Sequence, residues 1–243
     1  MQRYDKIDLS SPVSASELEA LGGRLLHASA VSGVFPGAYW FALKFLRRVV
    51  NALNRGEKRT DTMIVVSPAV KKQLTQWRAD IQKKRKIKEI KGPAAFTIFV
   101  DASLKGWGAV IVDMITNETF IHGEAWSSFY KGRHINELEA QALFRAVKLL
   151  PGRSVAKKVH VLVDNTTVVG VTRKQQCVKS RLLNDSIIGA LQILRENHNT
   201  FSMQWVQSED NPADLPSRII PVKMTSENVQ QVEQAVRSFF NSK

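Results

Sequence analysis

Apolar residues in the first third of the chain recur at helical spacing. Four leucines at i, i+3, i+7 and i+8, preceded by serines that can cap a helix, predict one amphipathic helix. A Pro-Gly break precedes a second predicted helix, whose aromatic and aliphatic residues fall within 40–50. A third helix is predicted to begin at Ser67-Pro68, because proline suits the first turn of a helix. This part of the chain is therefore predicted to be a small, mainly helical module. The four leucines are Leu18, Leu21, Leu25 and Leu26.

The rest of the chain alternates between strand-like and helical segments. Their order, β-β-β-α-β-α-β, predicts an α/β fold with a five-stranded mixed sheet and flanking helices, because crossover helices make the later strands parallel. Gly106 and Gly108 are expected to allow the tight return between the first two strands. In chain order the predicted segments are strands 95–100, 107–114 and 119–126, helix 136–150, strand 158–163, helix 180–197 and strand 201–206.

The net charge also differs between the helical part and the α/β part of the chain. The 243 residues carry 35 Lys and Arg and 22 Asp and Glu, a net charge of +13. Residues 1–95 hold 18 of the basic and 8 of the acidic side chains, so +10 lies there and +3 in the remainder. We place the domain boundary near Gly92, which predicts a basic helical module over 1–92, an α/β domain over 93–220 and a C-terminal helix over 221–243. That last helix, apolar at helical spacing, either packs back on a domain or docks a partner.

The densest basic run lies just before this boundary, where Lys83, Lys84, Arg85 and Lys86 are consecutive. Such a run is either a solvated linker or a surface that follows a phosphate backbone. The second interpretation gains weight if the α/β domain acts on nucleic acid. A basic balance of this size favours polyanionic partners, nucleic acid first among them.

The cysteine content argues against a disulfide-stabilised protein, and the lack of long apolar segments argues against a membrane-spanning one. Cys177 is the only cysteine and cannot close an intramolecular disulfide. No segment approaches 18 consecutive apolar residues, and the first residues lack the apolar core of a signal peptide. We therefore expect an intracellular protein, nuclear or cytoplasmic, without a membrane partner.

Acidic residues stand where a ligand site is expected in such a sheet. Asp101 follows the first predicted strand and Asp164 the fourth, so parallel neighbouring strands would place their carboxylates side by side. Glu139 shares a helix face with two alanines, and an acid on a face that approaches a sheet is costly unless it binds something. Glu137 is the rival on that helix and is expected to face solvent. Asp214, after the last strand, is the fourth candidate.

Each acid also has an ordinary structural explanation. An acid at a strand end can simply form a turn, and Asp214 in the first turn of a helix after Asn211 and Pro212 is a normal helix start. Four acids that converge on one point would, however, require a counter-charge. Hard oxygen ligands without a His or Cys cluster select Mg²⁺, with Mn²⁺ as the alternative.

Four motifs occur in the order DASLKGWGAVI, ELEAQAL, VLVDN and NPADLPSR. Together they resemble the ribonuclease H domain of retroelements, and the forms HINELEA and NPADLPSR are most similar to the DIRS-like, tyrosine-recombinase retrotransposons. The helical segment from LEALGG to LTQWRADI resembles the thumb and connection of their reverse transcriptases. The resemblance implies a five-stranded mixed sheet. It also implies that two Mg²⁺ ions are bound by the catalytic carboxylates Asp101, Glu139, Asp164 and Asp214.

The activity implied by this resemblance is hydrolysis of the RNA strand of RNA–DNA hybrids. The implied partners are the hybrid and the polymerase part of a reverse transcriptase. Ser103 and Asn136 are candidates for a 2′-hydroxyl contact and Lys105 for a phosphate contact, although Asn136 can also be a plain helix cap. Two features depart from the family. No YxDD-type polymerase motif occurs, so the chain is not expected to polymerise by itself, and no His precedes Asp214, where WVQSEDN stands instead.

Two other functions fit parts of this pattern. A DDE strand transferase has a similar fold, but its Glu follows the second Asp, whereas Glu139 lies between Asp101 and Asp164. A ribonuclease H-like subunit that has lost activity, and only binds nucleic acid or has a structural role, fits the missing polymerase motif. The four acids count against that alternative.

Overall fold

The computed structural model describes residues 7–83, 90–218 and 224–241. Within these ranges the chain forms two compact units, one made of residues 7–83 with Gln175–Arg181 and the other of the rest. The first unit is mainly helical, and the second contains a five-stranded mixed sheet with flanking helices. The predicted α/β fold class is therefore confirmed.

The first unit is built from three helices and a two-stranded ribbon. Of the two serines that could cap the first helix, Ser14 and Ser16, Ser14 is the cap. Its hydroxyl accepts a hydrogen bond from the Glu17 N–H, and the Glu17 carboxylate accepts one from the Ser14 N–H. The two short strands pair antiparallel. The elements are β1 (Val13–Ser14), α1 (Ala15–Ser32), α2 (Trp40–Asn54), β2 (Met63–Ile64) and α3 (Pro68–Gln82).

The apolar faces of α1, α2 and α3 pack on one another around Trp77. The Trp77 indole is fully buried, stacks on Tyr39 at 5.0 Å between ring centroids, and donates a hydrogen bond to Ser29 Oγ at 2.7 Å. Leu26 departs from the predicted helix face, since it is exposed. Each residue advances a helix by about 100°, so Leu26 lies more than a quarter turn beyond Leu25 and leaves the apolar stripe.

A segment from the second half of the chain completes the core of the first unit. Gln175–Arg181 belongs to this unit, and Val178 packs against its core. Trp40 Nε1 donates to the Cys177 carbonyl at 2.9 Å. The chain therefore contributes to the first unit at two separate places, which the charge boundary near Gly92 does not predict.

The second unit contains the strands β3 (Phe96–Ala102), β4 (Gly106–Asp113), β5 (Thr119–Ala125), β6 (Lys158–Val163) and β7 (Thr200–Trp205). Their order across the sheet is β5-β4-β3-β6-β7. The strands β3, β4 and β5 form an antiparallel meander, and β6 and β7 run parallel to β3. The strand directions agree with the mixed sheet that the sequence predicts, and β3 and β6 are parallel neighbours.

Helices pack on this sheet. The last helix packs through Val232, Val236 and Phe239 on the sheet face that carries Phe99, with 4.9 Å between the two phenyl centroids. The C-terminal helix therefore packs back on the sheet. The described helices of this unit are α4 (Ile135–Lys148), α5 (Thr166–Lys174), α6 (Arg181–Glu196), α7 (Asp214–Arg218) and α8 (Ser226–Asn241).

The sequence pattern does not predict α5. Its sequence, TTVVGVTRK, is rich in β-branched residues and contains Gly170, which all have low helix propensity. The helix is favoured nevertheless because Asn165 Oδ1 accepts from the Val168 N–H at 3.1 Å at its start, and because Val168 and Val169 are buried. The other predicted strands and helices between β3 and β7 lie within two residues of the predicted bounds.

The basic run before Gly92 lies largely outside the described residues. Lys84, Arg85 and Lys86 belong to that part, whereas Lys83 follows α3 and forms an ion pair with Asp80 at 2.7 Å. Across the described ranges, no helix has the length and apolar character needed to cross a membrane.

Candidate metal centre

Three elements bring carboxylates together at the carboxyl ends of parallel strands. Asp101 lies near the end of β3, Asp164 directly follows β6, and Glu139 lies in α4, which packs against β3. One carboxylate oxygen of each residue lies within 4.8 Å of those of the other two. Asp101 belongs to β3, where it pairs with Gly108, so the prediction that it follows the strand was wrong by two residues. We call Asp101, Glu139 and Asp164 the acid cluster.

Glu139, rather than Glu137, is the acid of α4 that joins the cluster. Glu139 is 4% exposed, and its Oε2 has no hydrogen-bond partner among the described residues. Glu137 lies in the first turn of the same helix. A buried polar atom without a partner is rare in folded proteins, and Oε2 is an atom that a bound cation would satisfy.

Burial shifts the proton affinity of the acid cluster. It is the main reason that the pKa of Glu139 is raised from 4.5 to about 9, and the charges of Asp101 and Asp164 add to the rise. Burial likewise raises the pKa of Asp101 from 3.8 to about 6, where the Ser217 hydroxyl opposes the rise and the charge of Asp164 adds to it. Burial and the neighbouring charges therefore favour the protonated form of Glu139 in the metal-free protein.

The end of β7 and the loop that follows it orient Asp164. Ser208 Oγ donates to Asp164 Oδ2 at 2.6 Å, and Trp205 Nε1 donates to the Asp164 carbonyl at 3.0 Å. Sequence reasoning missed Ser208. The only indication of Ser208 in the sequence is its place in WVQSEDN. Several members of the retroelement ribonuclease H family, which the motifs resemble, carry a His in that segment.

Two glycines allow α7 to lie across the sheet beside Asp101. Gly108 and Gly123 are paired on β4 and β5. A Cβ on Gly108 would lie 2.6 Å from both the Ala213 carbonyl oxygen and the Ser217 nitrogen, and one on Gly123 would lie 2.5 Å from a backbone carbonyl of α7. Gly108 is therefore required for close approach of α7 rather than for the turn into β4. From α7, the buried Ser217 hydroxyl donates to Asp101 Oδ2.

The segment before α7 is also tied to β3. Asn211 Nδ2 donates to the Val100 carbonyl at 3.0 Å, and Asn211 Oδ1 accepts from the Ala213 N–H at 3.2 Å. The helix begins at Asp214, so Asn211 and Pro212 precede its first turn. Asn211 is therefore an anchor between the last motif and the strand that carries Asp101.

Asp214, the fourth predicted acid, lies beside the acid cluster but not in it. Its Oδ1 accepts two hydrogen bonds from Arg218, from Nε at 2.8 Å and from Nη2 at 2.5 Å. Asp214 is near enough for its charge to add to the burial that raises the pKa of Asp101. Sequence reasoning missed Arg218, although its i,i+4 spacing from Asp214 on a helix was a usable signal.

Asn136 is held in a small network of amides and hydroxyls. Its Oδ1 accepts from Asn165 Nδ2 at 2.9 Å, and its Nδ2 donates to Thr167 Oγ1 at 3.3 Å. His134 is the residue that caps α4, since its Nδ1 accepts from the Asn136 N–H at 3.2 Å. The alternative that Asn136 is the helix cap was therefore wrong.

The turn between β3 and β4 holds the other two predicted nucleic-acid contacts. The Ser103 hydroxyl donates to the Ser217 carbonyl at 2.8 Å and accepts from the Gly106 N–H at 3.1 Å. Lys105 is exposed in the same turn. The Ser103 hydroxyl is thus used inside the protein, whereas the Lys105 ammonium lies at the surface.

Gly108→Ala is expected to destabilise the protein by about 1–3 kcal/mol, because the new Cβ would meet backbone atoms on three residues of the α7 segment. Thermal unfolding of the variant against the parent measures the effect. Gly170→Ala in α5 is the matched control: its Cβ would meet nothing within 4 Å, so it is expected to be neutral or slightly stabilising. Equal unfolding temperatures for Gly108→Ala and the parent would contradict the close approach of α7.

The donor set of the acid cluster fits a hard divalent cation. It offers carboxylate oxygens from Asp101, Glu139 and Asp164, one of them buried without a hydrogen-bond donor. Oxygen donors of this kind prefer Mg²⁺, Mn²⁺ or Ca²⁺ to zinc or copper. The order and directions of the strands define the second unit as an α/β unit with a five-stranded mixed sheet, and the cluster lies where the resemblance to ribonuclease H domains implies a metal site.

No protein-family model matches the chain, and no curated protein matches it. Solved structures with some similarity include ribonuclease H1 from Halobacterium salinarum, which is 16% identical with a TM-score of 0.40 over 51% of this chain and 92% of that chain. LC11 ribonuclease H1, solved with an RNA/DNA hybrid, is 20% identical with a TM-score of 0.38 over 49% of this chain and 89% of that chain. The foamy viral protease-reverse transcriptase, solved with double-stranded DNA, is 11% identical with a TM-score of 0.34, over 83% of this chain and 40% of that chain.

Proposed function

We propose that this chain is a metal-dependent endonuclease that hydrolyses the RNA strand of RNA–DNA hybrids, as the ribonuclease H part of a retrotransposon reverse transcriptase. The observation that carries the proposal is the convergence of Asp101, Glu139 and Asp164 at the carboxyl ends of parallel strands. A site that contains only carboxylates would repel a negatively charged phosphodiester. A bound cation would turn that repulsion into attraction. The sequence motifs, most similar to those of DIRS-like retrotransposons, support this choice of substrate.

The acid cluster would hold two Mg²⁺ ions, with Asp214 as the fourth ligand residue. When bound, such ions activate a water molecule and stabilise the leaving oxygen during displacement at phosphorus. The protein's own contribution is orientation, since the Ser217 hydroxyl donates to Asp101 and the Ser208 hydroxyl to Asp164. The proposed reaction requires no protein nucleophile.

Selection of RNA requires a contact to the 2′-hydroxyl. Asn136 is the stronger candidate, because Asn165 and Thr167 fix its amide in one orientation and leave a second N–H and a second lone pair of that amide for a ligand. Ser103 is the weaker candidate, since its hydroxyl is already used within the β3–β4 turn. Lys105, exposed in that turn, is proposed to contact a phosphate.

The basic excess of residues 1–95 supports a role for the first unit in holding the hybrid. Lys83, Lys84, Arg85 and Lys86 are proposed to contact phosphates. Each such contact steepens the salt dependence of binding by about 0.9 in a log–log plot.

The alternative is a ribonuclease H-like subunit that has lost activity and serves in nucleic-acid binding or structure. The pairing of Asp214 with Arg218, outside the acid cluster, is the observation in its favour. The buried Glu139 counts against it, because a carboxyl without a function is costly to keep in the interior.

A labelled RNA–DNA hybrid distinguishes the two functions. With Mg²⁺ we expect cleavage of the RNA strand, and with EDTA or with double-stranded DNA or RNA we expect none. Calorimetric titration with Mg²⁺ measures the metal site independently of activity. Binding of hybrid and Mg²⁺ with intact RNA would establish the alternative, and cleavage in EDTA would contradict a metal-dependent reaction.

A further inference from the structure

Arg218 is a positive charge beside the acid cluster. It ends α7, four residues after Asp214, and its side chain is 63% exposed. The charges of Asp101 and Asp164 reach it, since they add to the Asp214 hydrogen bond that raises the pKa of the guanidinium. Arg218 in turn opposes the rise that burial imposes on the pKa of Asp101. The guanidinium therefore lies within electrostatic range of the cluster while remaining open to solvent.

The fourth acid, Asp214, has its backbone beside Asp101 and its carboxylate bonded to Arg218. Asn211, three residues earlier, is anchored to β3, and Ser217, three residues later, donates to Asp101. These contacts hold the backbone of Asp214 beside Asp101. Its carboxylate lies outside the cluster, and Asp214 Oδ1 accepts both hydrogen bonds from Arg218.

We propose that Arg218 is a positioning residue that holds Asp214 out of the acid cluster until a phosphate of the nucleic acid takes its guanidinium. An arginine fork recognises a phosphate with the same paired geometry that it uses for a carboxylate. When Arg218 moves to a phosphate, Asp214 loses its partner beside Asp101 and becomes available as a ligand. The inference rests on the proposed function, and it makes completion of the metal site dependent on nucleic acid.

A double-mutant cycle on Mg²⁺ binding without nucleic acid tests this role. Calorimetric titrations compare the parent, Asp214→Asn, Arg218→Gln and the double variant. In the parent background, Asp214→Asn is expected to change the Mg²⁺ dissociation constant by less than about threefold, because Asp214 is occupied by Arg218. In the Arg218→Gln background, the same change is expected to weaken Mg²⁺ binding by about tenfold or more, because the freed Asp214 has become a ligand. An equal effect in both backgrounds would overturn the proposal.

The phosphate contact has a separate readout, the salt dependence of hybrid binding in EDTA, where the RNA stays intact. Arg218→Gln is expected to flatten the log–log slope by about 0.9, the loss of one phosphate contact. Arg237→Gln is the matched control, because it removes an exposed arginine from an i,i+4 pair with Glu233 on α8. Its slope is expected to equal that of the parent. Equal slopes for Arg218→Gln and the parent, or equal flattening by both variants, would overturn the contact.

Failure of this inference is distinguishable from failure of the proposed function. A parent that neither binds Mg²⁺ nor cleaves the hybrid overturns both. A parent that cleaves the hybrid, with no coupling between positions 214 and 218, overturns only the role of Arg218. Thermal unfolding of all the variants shows that each comparison is made between folded proteins.

Discussion

Asp101→Asn is expected to lower Mg²⁺-dependent cleavage of the RNA strand of an RNA–DNA hybrid by about 10³-fold. Asp101 is the member of the acid cluster that lies in β3 and receives the Ser217 hydrogen bond, and its carboxylate lies within 4.8 Å of both other ligand atoms. Asparagine keeps the shape of the side chain but replaces a charged oxygen with an amide that cannot bind a cation well. Initial rates on a labelled hybrid at saturating Mg²⁺ measure the loss.

Glu137→Gln is the matched control for this experiment. It removes a carboxylate from the first turn of α4, two residues before Glu139, without touching the cluster. Its rate is expected to stay within about threefold of the parent, a difference of less than about 1 kcal/mol in the barrier. Residual activity of Asp101→Asn within about tenfold of the parent would refute the assignment of the acid cluster as the catalytic site.

Glu139→Gln is expected to abolish activity and, at alkaline pH, to raise the unfolding temperature of the metal-free protein by several degrees. The pKa of Glu139 is raised in the folded protein, from 4.5 to about 9, chiefly by burial. The protonated carboxyl therefore contributes stability that is fully present below about pH 4.5 and is lost as the pH rises through 9. Glutamine carries no ionisable proton, so its advantage should grow from pH 5 to pH 9 in EDTA.

At pH 9, saturating Mg²⁺ is expected to make the parent more stable than Glu139→Gln. A cation that binds the folded parent stabilises it, whereas a variant without the Glu139 carboxylate gains less. Glu137→Gln again serves as the control and should show the parent's pH profile. An advantage of Glu139→Gln that is equal at pH 5 and pH 9 would contradict the burial of an ionisable ligand at this position.

Much of the fold could be predicted because its signals are local. Alternation of apolar residues marks strands, and a repeat of 3.6 marks helices, so β3 to β7 and the long helices follow from neighbouring residues. The helix α5 could not be predicted this way, since TTVVGVTRK has the composition of a strand and its helical form depends on the Asn165 contact and on burial. The placement of Gln175–Arg181 in the first unit likewise has no local signal.

The three acids of the cluster could be predicted from the sequence, but their hydrogen-bond partners could not. Asp101 and Asp164 stand at the ends of strands that proved to be parallel neighbours, and the helical spacing of Glu139 distinguished it from Glu137. The residues that orient the ligands were not visible. Ser208 is an ordinary loop serine until β7 brings it to Asp164, and Ser217 contacts Asp101 across 116 residues of sequence.

By itself, the sequence determined the type and order of the elements and the strand ends that carry acids, because both depend on residues that are close along the chain. Only the tertiary structure decided which contacts those acids make. Gly108 acts by letting α7 approach the sheet, and Asp214 lies with Arg218 rather than in the acid cluster. Such outcomes depend on steric fit and charge between distant segments, which alternation and helical spacing do not record.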